Sequence, residues 1–460
     1  MTATGEPATA TSAPDPGGPP GPSVTVPYPG PRAARIIERM RAVEAAGPRT
    51  GADDPPLVVE TAAGSTLTDP DGNHFIDLAG SFAAATIGHV HPAVVTAVRD
   101  QVGRLSHVSS ASMSEVRVAF EEALVAIAPA GLDRVLLGLS GSDANDTAVK
   151  LARTLTGRHE VIAFSGGYFG RGSGVIGLNG KARMRAAAGR DADAHFLPYP
   201  YPYRWPLGAG DGAGEMALAL VRHALEDPAS GIGPVAAVVV EPVQGNGGVI
   251  IPPDSFLAGL RELCDRHGAV LIFDEVQCGF GRTGRTWAAE HWNVVPDLMT
   301  AGKGIGGGLA LSAVVGRQAF MAHWSPGTHT STFMGDAVNL AAGLAAIGVL
   351  RDEGLVGRSA TVGGRLLEQL RAALADDAHV GEVRGLGLFV GIEIVADRDD
   401  RTADPDRTAR IRRAAFDRGV LLGSCGYHEN VIKLCPPLTI DEGLLDTAIE
   451  LTIETIRGTP

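Results

Sequence analysis

The chain reads Val270-Leu271-Ile272-Phe273-Asp274-Glu275-Val276-Gln277 and, further on, Asp297-Leu298-Met299-Thr300-Ala301-Gly302-Lys303-Gly304-Ile305-Gly306-Gly307-Gly308. Each stretch begins as a short apolar strand and reaches a charged side chain, Asp274 in the first and Lys303 in the second. A charge at the tip of a buried strand is costly unless it has a partner or a chemical task. The two stretches therefore predict a site in which a carboxylate and an amine act together.

Around these stretches, short apolar strands alternate with longer helical patterns. Strands are predicted at 135–139, 160–164, 235–241, 269–274, 297–300 and 311–316. Helices are predicted at 92–105, 114–128, 143–156, 214–226 and 254–267. The alternation predicts an α/β fold with a large, mainly parallel sheet that is covered by helices and joined by right-handed crossovers.

The two ends of the chain have a different pattern. Near the start, a helix is predicted at 31–45 and strands at 57–60 and 74–77. After residue 336, the pattern predicts helices at 337–353, 357–376 and 441–456 and strands at 388–395 and 431–435. We predict a disordered tail at 1–22, an N-terminal segment at 23–80 that packs with the small domain, a large domain at 81–335 and a smaller α+β domain at 336–460.

The composition limits the classes of partner. A net charge of −13 over 460 residues argues against nucleic acid and anionic membranes. No apolar run approaches the ~18 residues of a membrane span, and the start lacks the basic-then-apolar order of a signal peptide. The four cysteines form no CxxC pair, which is typical of free thiols in a reducing compartment. We expect a cytoplasmic enzyme.

A third stretch, Ser140-Gly141-Ser142-Asp143-Ala144-Asn145-Asp146, follows a predicted strand and opens a helix. Small residues and the helix dipole there favour a bound phosphate, although an ordinary N-cap has the same pattern. Taken singly, Asp274 fits an acid that caps a turn, and Lys303 fits a surface lysine. Together, an amine, an acid and a phosphate site predict pyridoxal phosphate, whose aldehyde forms a Schiff base with lysine and whose ring nitrogen needs an acid.

These residues also carry a resemblance. The stretch from Leu271 to Gly284, with the run Gly279-Phe280-Gly281-Arg282-Thr283-Gly284, resembles the signature of class III, fold-type I aminotransferases, and looks most like the 4-aminobutyrate aminotransferase branch. The likeness continues through Pro29-Gly30-Pro31-Arg32, Gly88-His89-Val90-His91-Pro92, Glu241-Pro242-Val243-Gln244-Gly245 and Pro436-Pro437-Leu438. It implies a large, mainly parallel, seven-stranded-type sheet domain that binds pyridoxal 5'-phosphate. It also implies a smaller α+β domain from the N- and C-terminal segments.

The resemblance implies a set of cofactor contacts. Lys303 carries the cofactor and acts as general base, Asp274 pairs with the ring nitrogen, and Tyr168 stacks on the ring. The other implied contacts are Gly141 and Ser142 at the phosphate, Val276 and Gln277 at the ring face and hydroxyl, and Glu241 in support of Gln277.

The resemblance also implies how substrates and subunits meet. Arg171 matches the arginine that grips the distal carboxylate of ω-amino acids, and Phe82 lies where the family places a gating side chain. Thr332 would reach the phosphate in the neighbouring subunit. The active unit implied by Thr332 is a homodimer with shared active sites.

Two positions depart from the family pattern. Asn246 replaces a glutamate, and Lys433 replaces an arginine. In the family this pair is a switch: the arginine binds the α-carboxylate of glutamate, and the glutamate neutralises the arginine when an ω-amine enters. Asparagine cannot neutralise a cation, and lysine offers a point charge rather than a planar bidentate fork. The departure predicts a substrate that lacks an α-carboxylate.

Several functions remain open. The first is an aminotransferase that moves an amino group from a glutamate- or alanine-type donor to an aldehyde or ketone, such as an amino-sugar precursor in aminoglycoside antibiotic biosynthesis. A 4-aminobutyrate or ω-amino acid aminotransferase is a plainer alternative. A racemase or epimerase would use the same lysine without exchanging an amine. A cofactor-binding regulator without catalysis is disfavoured, because Lys303, Asp274 and Gln277 are all present.

Overall fold

The computed structural model describes residues 20–45, 56–186, 193–208 and 210–460. Its longer helices are α1 (Pro31–Val43), α2 (Pro92–Arg104), α3 (Glu115–Ile127), α4 (Gly141–Thr156), α5 (Ala213–Glu226), α6 (Asp254–His267), α7 (Ala337–Asp352), α8 (Leu355–Ala373), α9 (Pro405–Phe416) and α10 (Glu442–Gly458). Single helical turns lie at Gly80–Ala83, Ala182–Arg185 and Gln318–Met321.

The strands fall into three sheets. They are β1 (Thr61–Ala63), β2 (Thr66–Thr68), β3 (His74–Asp77), β4 (Arg134–Gly138), β5 (Glu160–Phe164), β6 (Ala194–Leu197), β7 (Val235–Val240), β8 (Val270–Asp274), β9 (Leu298–Ala301), β10 (Ser312–Gly316), β11 (Val380–Leu386), β12 (Phe389–Ile394), β13 (Val420–Leu421), β14 (Gly423–Cys425) and β15 (Val431–Leu434).

The large sheet has seven strands in the order β4-β10-β9-β8-β7-β5-β6. β10 is antiparallel to both of its neighbours, and the remaining pairs are parallel. β7 and β8 are buried along their whole length, as strands are when helices cover both faces of a sheet. α4 packs against the centre of the sheet, and α6 packs beside β8. The predicted α/β class and the mainly parallel large sheet are confirmed.

Two four-stranded sheets are built from the chain ends. In the first, β1-β2-β3-β13, the N-terminal strand β3 pairs in parallel with the C-terminal strand β13, so that Ile76 lies opposite Val420. The second, β11-β12-β15-β14, is antiparallel. The N- and C-terminal segments therefore share one sheet, as expected for a smaller α+β domain. The domain boundaries at residues 80 and 335 remain predictions.

Some local predictions fail. A strand at 57–60 is wrong, because Val58 N–H donates to the Tyr28 hydroxyl (2.8 Å) and the ladder begins only at β1. The sequence patterns did not predict β6, which is a half-buried edge strand. They also did not predict α9, whose only buried apolar side chains are Ile411 and Ala415. A segment with so few buried apolar residues has too weak a periodicity to be recognised from sequence.

Three other expectations concern the chain as a whole. The tail predicted at 1–22 lies outside the described residues except for its last three. The four cysteines are buried free thiols. Among the described helices, none is both long enough and apolar enough to cross a membrane.

Candidate active site

The predicted site residues follow the carboxyl ends of neighbouring parallel strands. Asp274 ends β8, Lys303 follows β9, Glu241 follows β7, and Tyr168 follows β5. Ligands of open α/β sheets bind at this edge, because the loops and helix N-termini that leave the strands converge there. Residues that are far apart in sequence are thus brought to one end of the sheet.

A hydrogen-bonded chain holds the Asp274 carboxylate. Asn145 Nδ2 donates to Asp274 Oδ2 (2.7 Å), and Val276 N–H donates to Asp274 Oδ1 (2.9 Å). Thr300 Oγ1 in turn donates to Asn145 Oδ1 (2.8 Å), which fixes the orientation of the amide. Burial raises the pKa of Asp274, while these hydrogen bonds and the charge of Lys303 act in the opposite direction. A cation beside this carboxylate would therefore be strongly favoured.

Lys303 begins a 3-10 turn, Lys303–Gly306, directly after β9. Its backbone has φ +48°, and a side chain on Gly304 would collide with Thr86 and Phe280. Burial lowers the pKa of the Lys303 ammonium, opposed by the nearby charge of Asp274. An amine with a lowered pKa is a better nucleophile and proton acceptor near neutral pH. The site is therefore suited to amine chemistry.

Glu241 stabilises the loops on either side of the site. Its Oε1 accepts from Tyr168 N–H (3.0 Å), and its Oε2 accepts from Gly245 N–H (2.9 Å). Burial raises the pKa of Glu241 to about 7, and the neighbouring charge of Asp274 acts in the same direction. The predicted support of Gln277 by Glu241 is indirect. Glu241 binds Gly245, and Gly245 lies so close to the Gln277 side chain that an added Cβ would be 1.7 Å from Gln277 Oε1.

The phosphate end of the expected cofactor site is lined by small residues. A Cβ on Gly141 would lie 2.7 Å from Val276 Cγ1, so the N-terminus of α4 approaches the residue beyond Asp274 closely. Ser142 Oγ accepts from Gly172 N–H (2.9 Å), and its own O–H has no acceptor among the described residues. That free hydroxyl and the N–H groups of Gly141 and Ser142, which have no acceptor among the described residues, fit a phosphate, while Asp143 N–H donates to the Ser140 hydroxyl (3.2 Å).

The residues expected at the substrate are less constrained. Lys433 lies on β15 and is only 5% exposed, yet no acceptor for its ammonium is present in the described part of the chain. Across the sheet it lies opposite Gly391 and Gly423, and an added Cβ on Gly423 would lie 3.5 Å from Lys433 Cε. Arg171 is exposed and likewise has no side-chain partner in the described ranges. Among the residues that the structure describes, the side-chain contact of Asn246 is from Nδ2 to Met184 Sδ (4.0 Å).

Phe82 and Thr332 are both exposed. The Phe82 carbonyl accepts from Gln277 Nε2 (3.5 Å), which places this residue beside the strand end that carries Asp274. Thr332 makes no side-chain hydrogen bond within the described ranges; its segment is tied to α4 where His329 contacts Thr147 (3.0 Å). Neither residue is brought to the Asp274–Lys303 pair by a direct contact.

Sequence reasoning missed Asn145 and Thr300. Asn145 lies on the buried face of α4, and Thr300 is an inward-facing residue of β9 that is fully buried. The available signal was a polar side chain at a buried position next to a predicted site, since buried polar groups require hydrogen-bond partners.

Comparisons with known proteins identify the class. A family model described as Aminotransferase class-III matches residues 49–456. The chain is 37% identical to 5-aminovalerate aminotransferase DavT of Pseudomonas aeruginosa, over 89% of this chain and 96% of the relative. It is 36% identical to 4-aminobutyrate aminotransferase GabT of Escherichia coli, over 90% and 96%. It is also 34% identical to an alanine/serine racemase of Pyrococcus horikoshii, over 95% and 93%.

Structural comparison agrees. An amine transaminase from an uncultivated Pseudomonas species, solved in a form with bound pyridoxal phosphate, has a TM-score of 0.81 and 32% identity, over 89% of this chain and 98% of that one. The chain therefore belongs to the class III aminotransferases. It is an enzyme that depends on pyridoxal 5'-phosphate, and the resemblance to the 4-aminobutyrate aminotransferase branch is confirmed.

Proposed function

We propose that the enzyme moves an amino group between an amino-acid donor that carries an α-carboxylate and a carbonyl acceptor. When bound, pyridoxal phosphate supplies an aldehyde that condenses with amines and a ring that accepts electrons when a proton leaves the substrate carbon. Asp274 keeps the ring nitrogen protonated, held in place by Asn145. Lys303 Nζ takes the proton from the substrate carbon and returns it, which its lowered pKa favours.

The observation that carries this proposal is the buried Lys433. Its side chain is only 5% exposed and its ammonium has no counter-ion in the described part of the chain, so a substrate carboxylate would supply one. Asn246 cannot neutralise Lys433, so the cation remains available to every substrate that enters. The departure from the family pattern thus favours a donor with an α-carboxylate, in line with the glutamate- or alanine-type donor expected from sequence, and it gives no support to an acceptor that lacks one.

The second cation, Arg171, suits a substrate with two acidic groups. Because Arg171 is exposed and free in the described part of the chain, it is available to a distal carboxylate. A glutamate-type donor would occupy both Lys433 and Arg171, whereas 4-aminobutyrate or 5-aminovalerate would occupy Arg171 alone. An amino-sugar acceptor would leave Lys433 without a counter-ion, so the structure gives that hypothesis no support.

A racemase is the second candidate. A single permanent site for an α-carboxylate is sufficient for an enzyme that inverts one amino acid, and a racemase is among the relatives of the chain. In that reaction Lys303 takes the proton from one face of the substrate carbon, and a proton is returned to the opposite face. An aminotransferase consumes a carbonyl acceptor, whereas a racemase needs none.

The deciding experiment is an absorbance-monitored half-reaction screen of the enzyme loaded with pyridoxal phosphate. The probes are L-glutamate, L-alanine, 4-aminobutyrate, 5-aminovalerate and D-glucosamine, followed by turnover with and without 2-oxoglutarate. We expect L-glutamate or L-alanine to react fastest by kcat/KM, and turnover to require the keto acid. A best reaction with 4-aminobutyrate or glucosamine contradicts the role of Lys433, and formation of D-alanine without an acceptor indicates the racemase.

We also propose that the active form is a homodimer with shared sites. Thr332 makes no contact with its own Asp274–Lys303 pair, which is consistent with a role in a second copy. A groove between α2, α3 and α7 is lined by apolar residues such as Leu105, Val116 and Leu344, and also by the charged residues Asp100, Arg104 and Glu115. Phe333, next to Thr332, is 55% exposed. Exposed apolar surface of this kind marks a protein interface, and a second copy of the chain is its proposed occupant.

Light scattering tests the dimer. The holoenzyme should have at least twice the mass of one chain, and Leu105→Glu should weaken the assembly because it places a charge in an apolar interface. Val43→Glu is a matched control, since Val43 is exposed on α1, away from this groove. A monodisperse, fully active monomer contradicts the proposal.

A further inference from the structure

The turn Gly80–Ala83 is left-handed. Its φ angles are +57° at Gly80, +47° at Ser81, +60° at Phe82 and +63° at Ala83, and the chain returns to right-handed geometry at Ala84 (φ −87°). Residues with a Cβ are unfavourable in this region, and runs of them are rare. Such strain persists only where the surrounding structure fixes the backbone, and it is concentrated at functional sites.

Cys435, after β15, and Asp77, at the end of β3, fix this turn. Cys435 Sγ donates to the Ala79 carbonyl (3.0 Å), and Cys435 N–H donates to the Leu78 carbonyl (2.8 Å). Asp77 accepts from Ala79 N–H (3.1 Å), from the hydroxyl of Ser81 (3.3 Å) and from His89 Nε2 (2.9 Å). The contact is tight, because a Cβ on Gly80 would lie 2.2 Å from the Cys435 carbonyl oxygen.

The result of this arrangement is a defined position for Phe82. The side chain is 75% exposed, although it is large and apolar, and its carbonyl is held by Gln277 at the strand end that carries Asp274. A side chain on a right-handed continuation of the same segment would have a different direction, since the Cβ direction follows from φ and ψ. The strained turn therefore fixes the direction in which the Phe82 side chain leaves the backbone, next to the strand end that carries Asp274.

We propose that Cys435 and Asp77 are positioning residues that hold Phe82, through the left-handed turn, as a fixed steric filter for the side chain of the donor. The proposal rests on the assignment of Phe82 to the substrate pocket. Cys435 lies two residues beyond Lys433, so the strand that carries the carboxylate-binding lysine also sets the position of the filter. β15 and the residue after it would therefore contribute both to binding the donor's carboxylate and to limiting the size of its side chain.

The test compares donors of different size on the holoenzyme. The measured quantity is the ratio of single-turnover rate constants for L-phenylalanine and L-alanine. Phe82→Ala should change this ratio by about tenfold or more, in the range that pocket contacts give. Cys435→Ala should move the ratio in the same direction by at least about threefold, because the hydrogen bond to Ala79 is lost. Cys435→Ser keeps a donor and should restore the wild-type ratio.

Two assumptions are tested separately: that Phe82 is a steric filter, and that Cys435 holds it in position. An unchanged ratio in Phe82→Ala would show that Phe82 is not a filter, which removes the place at the substrate that the family resemblance implies for it and leaves the proposed roles of Lys433 and Arg171 untouched. A changed ratio in Phe82→Ala with a wild-type ratio in Cys435→Ala would overturn the positioning role alone. Cys425→Ala is the matched control, because Cys425 is equally buried and has no side-chain hydrogen bond among the described residues.

The strain itself is tested without any substrate. Ala83→Gly places glycine where φ is positive, so the thermal midpoint of the protein without cofactor should be unchanged or raised. Ala84→Gly places glycine in ordinary right-handed geometry and should lower the midpoint, because it only adds freedom to the unfolded chain. Equal losses in the two variants would show that the turn is not strained, and would overturn the proposal even if Cys435→Ala fails to fold.

Discussion

The two sides of the site differ in how their charged groups are satisfied. On the cofactor side, Asp274, Asn145 and Thr300 form a continuous hydrogen-bonded chain, and Glu241 uses both oxygens. On the substrate side, Lys433 is buried without an acceptor in the described ranges, and Arg171 is exposed without one. Groups with complete partners are preorganised for a resident ligand. Charged groups without partners are available to pair with substrates that bind and dissociate in each turnover.

The largest effect is expected where the two sides meet. Lys303→Ala should lower the half-reaction rate with L-glutamate by at least about 10³-fold, because both the nucleophilic amine and the general base are lost. The variant should also lose the covalent attachment of pyridoxal phosphate that borohydride reduction and mass spectrometry detect. Lys150→Arg, which keeps a cation on the exposed face of α4 beside the Thr328 carbonyl and the Trp324 ring, is the control and should behave as wild type. A fully active Lys303→Ala protein would exclude the assignment.

A smaller loss is expected at Asp274. Asp274→Asn keeps the size and removes the charge that holds the ring nitrogen protonated, so the half-reaction should slow by about 10²-fold or more. Asp297→Asn is a matched control, because Asp297 is also a buried acid at a strand of this sheet, bonded to Arg261 (2.9 Å) and to Leu271 N–H (2.9 Å). That variant should lose thermal stability but keep its rate per bound cofactor. Equal rate losses in both would refute the specific role of Asp274.

The substrate side should respond selectively. Lys433→Gln should raise KM for L-glutamate by about 10- to 100-fold, since a hydrogen bond to a charged group contributes roughly 1.5–3 kcal/mol. It should affect 4-aminobutyrate little, because that substrate has no α-carboxylate. Arg171→Gln should weaken both substrates. If Lys433→Gln weakens 4-aminobutyrate as much as glutamate, Lys433 does not distinguish the two carboxylates.

Restoring the family pair should shift the preference. Asn246→Glu with Lys433→Arg should move kcat/KM toward ω-amino acids by about tenfold, because a glutamate can neutralise the cation when no α-carboxylate is present. The double variant should lose activity toward its present donor, since two charges must be desolvated together. Steady-state kinetics with each donor separately would show this. An unchanged preference would mean that other residues decide it.

The smallest effect concerns pH. Glu241 has a pKa raised from 4.5 to about 7 in the folded chain, chiefly by burial, so the folded state holds this proton more tightly than the unfolded state does. Its contribution to stability is therefore present below pH 4.5 and is lost as the pH rises to about 7. The thermal midpoint of the protein without cofactor should decline across this window more steeply than that of Glu241→Gln. Glu215→Gln, at an exposed acid, should retain the wild-type slope.

The sequence was sufficient for the parts of the molecule that depend on local pattern. Runs such as Val235–Val240, apolar throughout, predicted buried parallel strands, and the structure confirms the mainly parallel sheet. Charges at the tips of two strands predicted the cofactor, and the family comparison confirms pyridoxal phosphate. These features are visible in sequence because a strand buried on both faces must be apolar, and because a buried charge is unfavourable unless it has a partner or a chemical role.

Only the tertiary structure decided which groups have partners. No spacing in the sequence shows that Asn145 and Thr300 join Asp274, or that Lys433 is buried between Gly391 and Gly423 with no acceptor in the described part of the chain. The sequence also does not show that Ser81 and Phe82 adopt a left-handed turn, or that Cys435, the residue after β15, holds this turn. The hydrogen bonds among these contacts join residues more than a hundred positions apart, and the free energies of all the contacts depend on burial and distance. Both quantities exist only once the chain has folded.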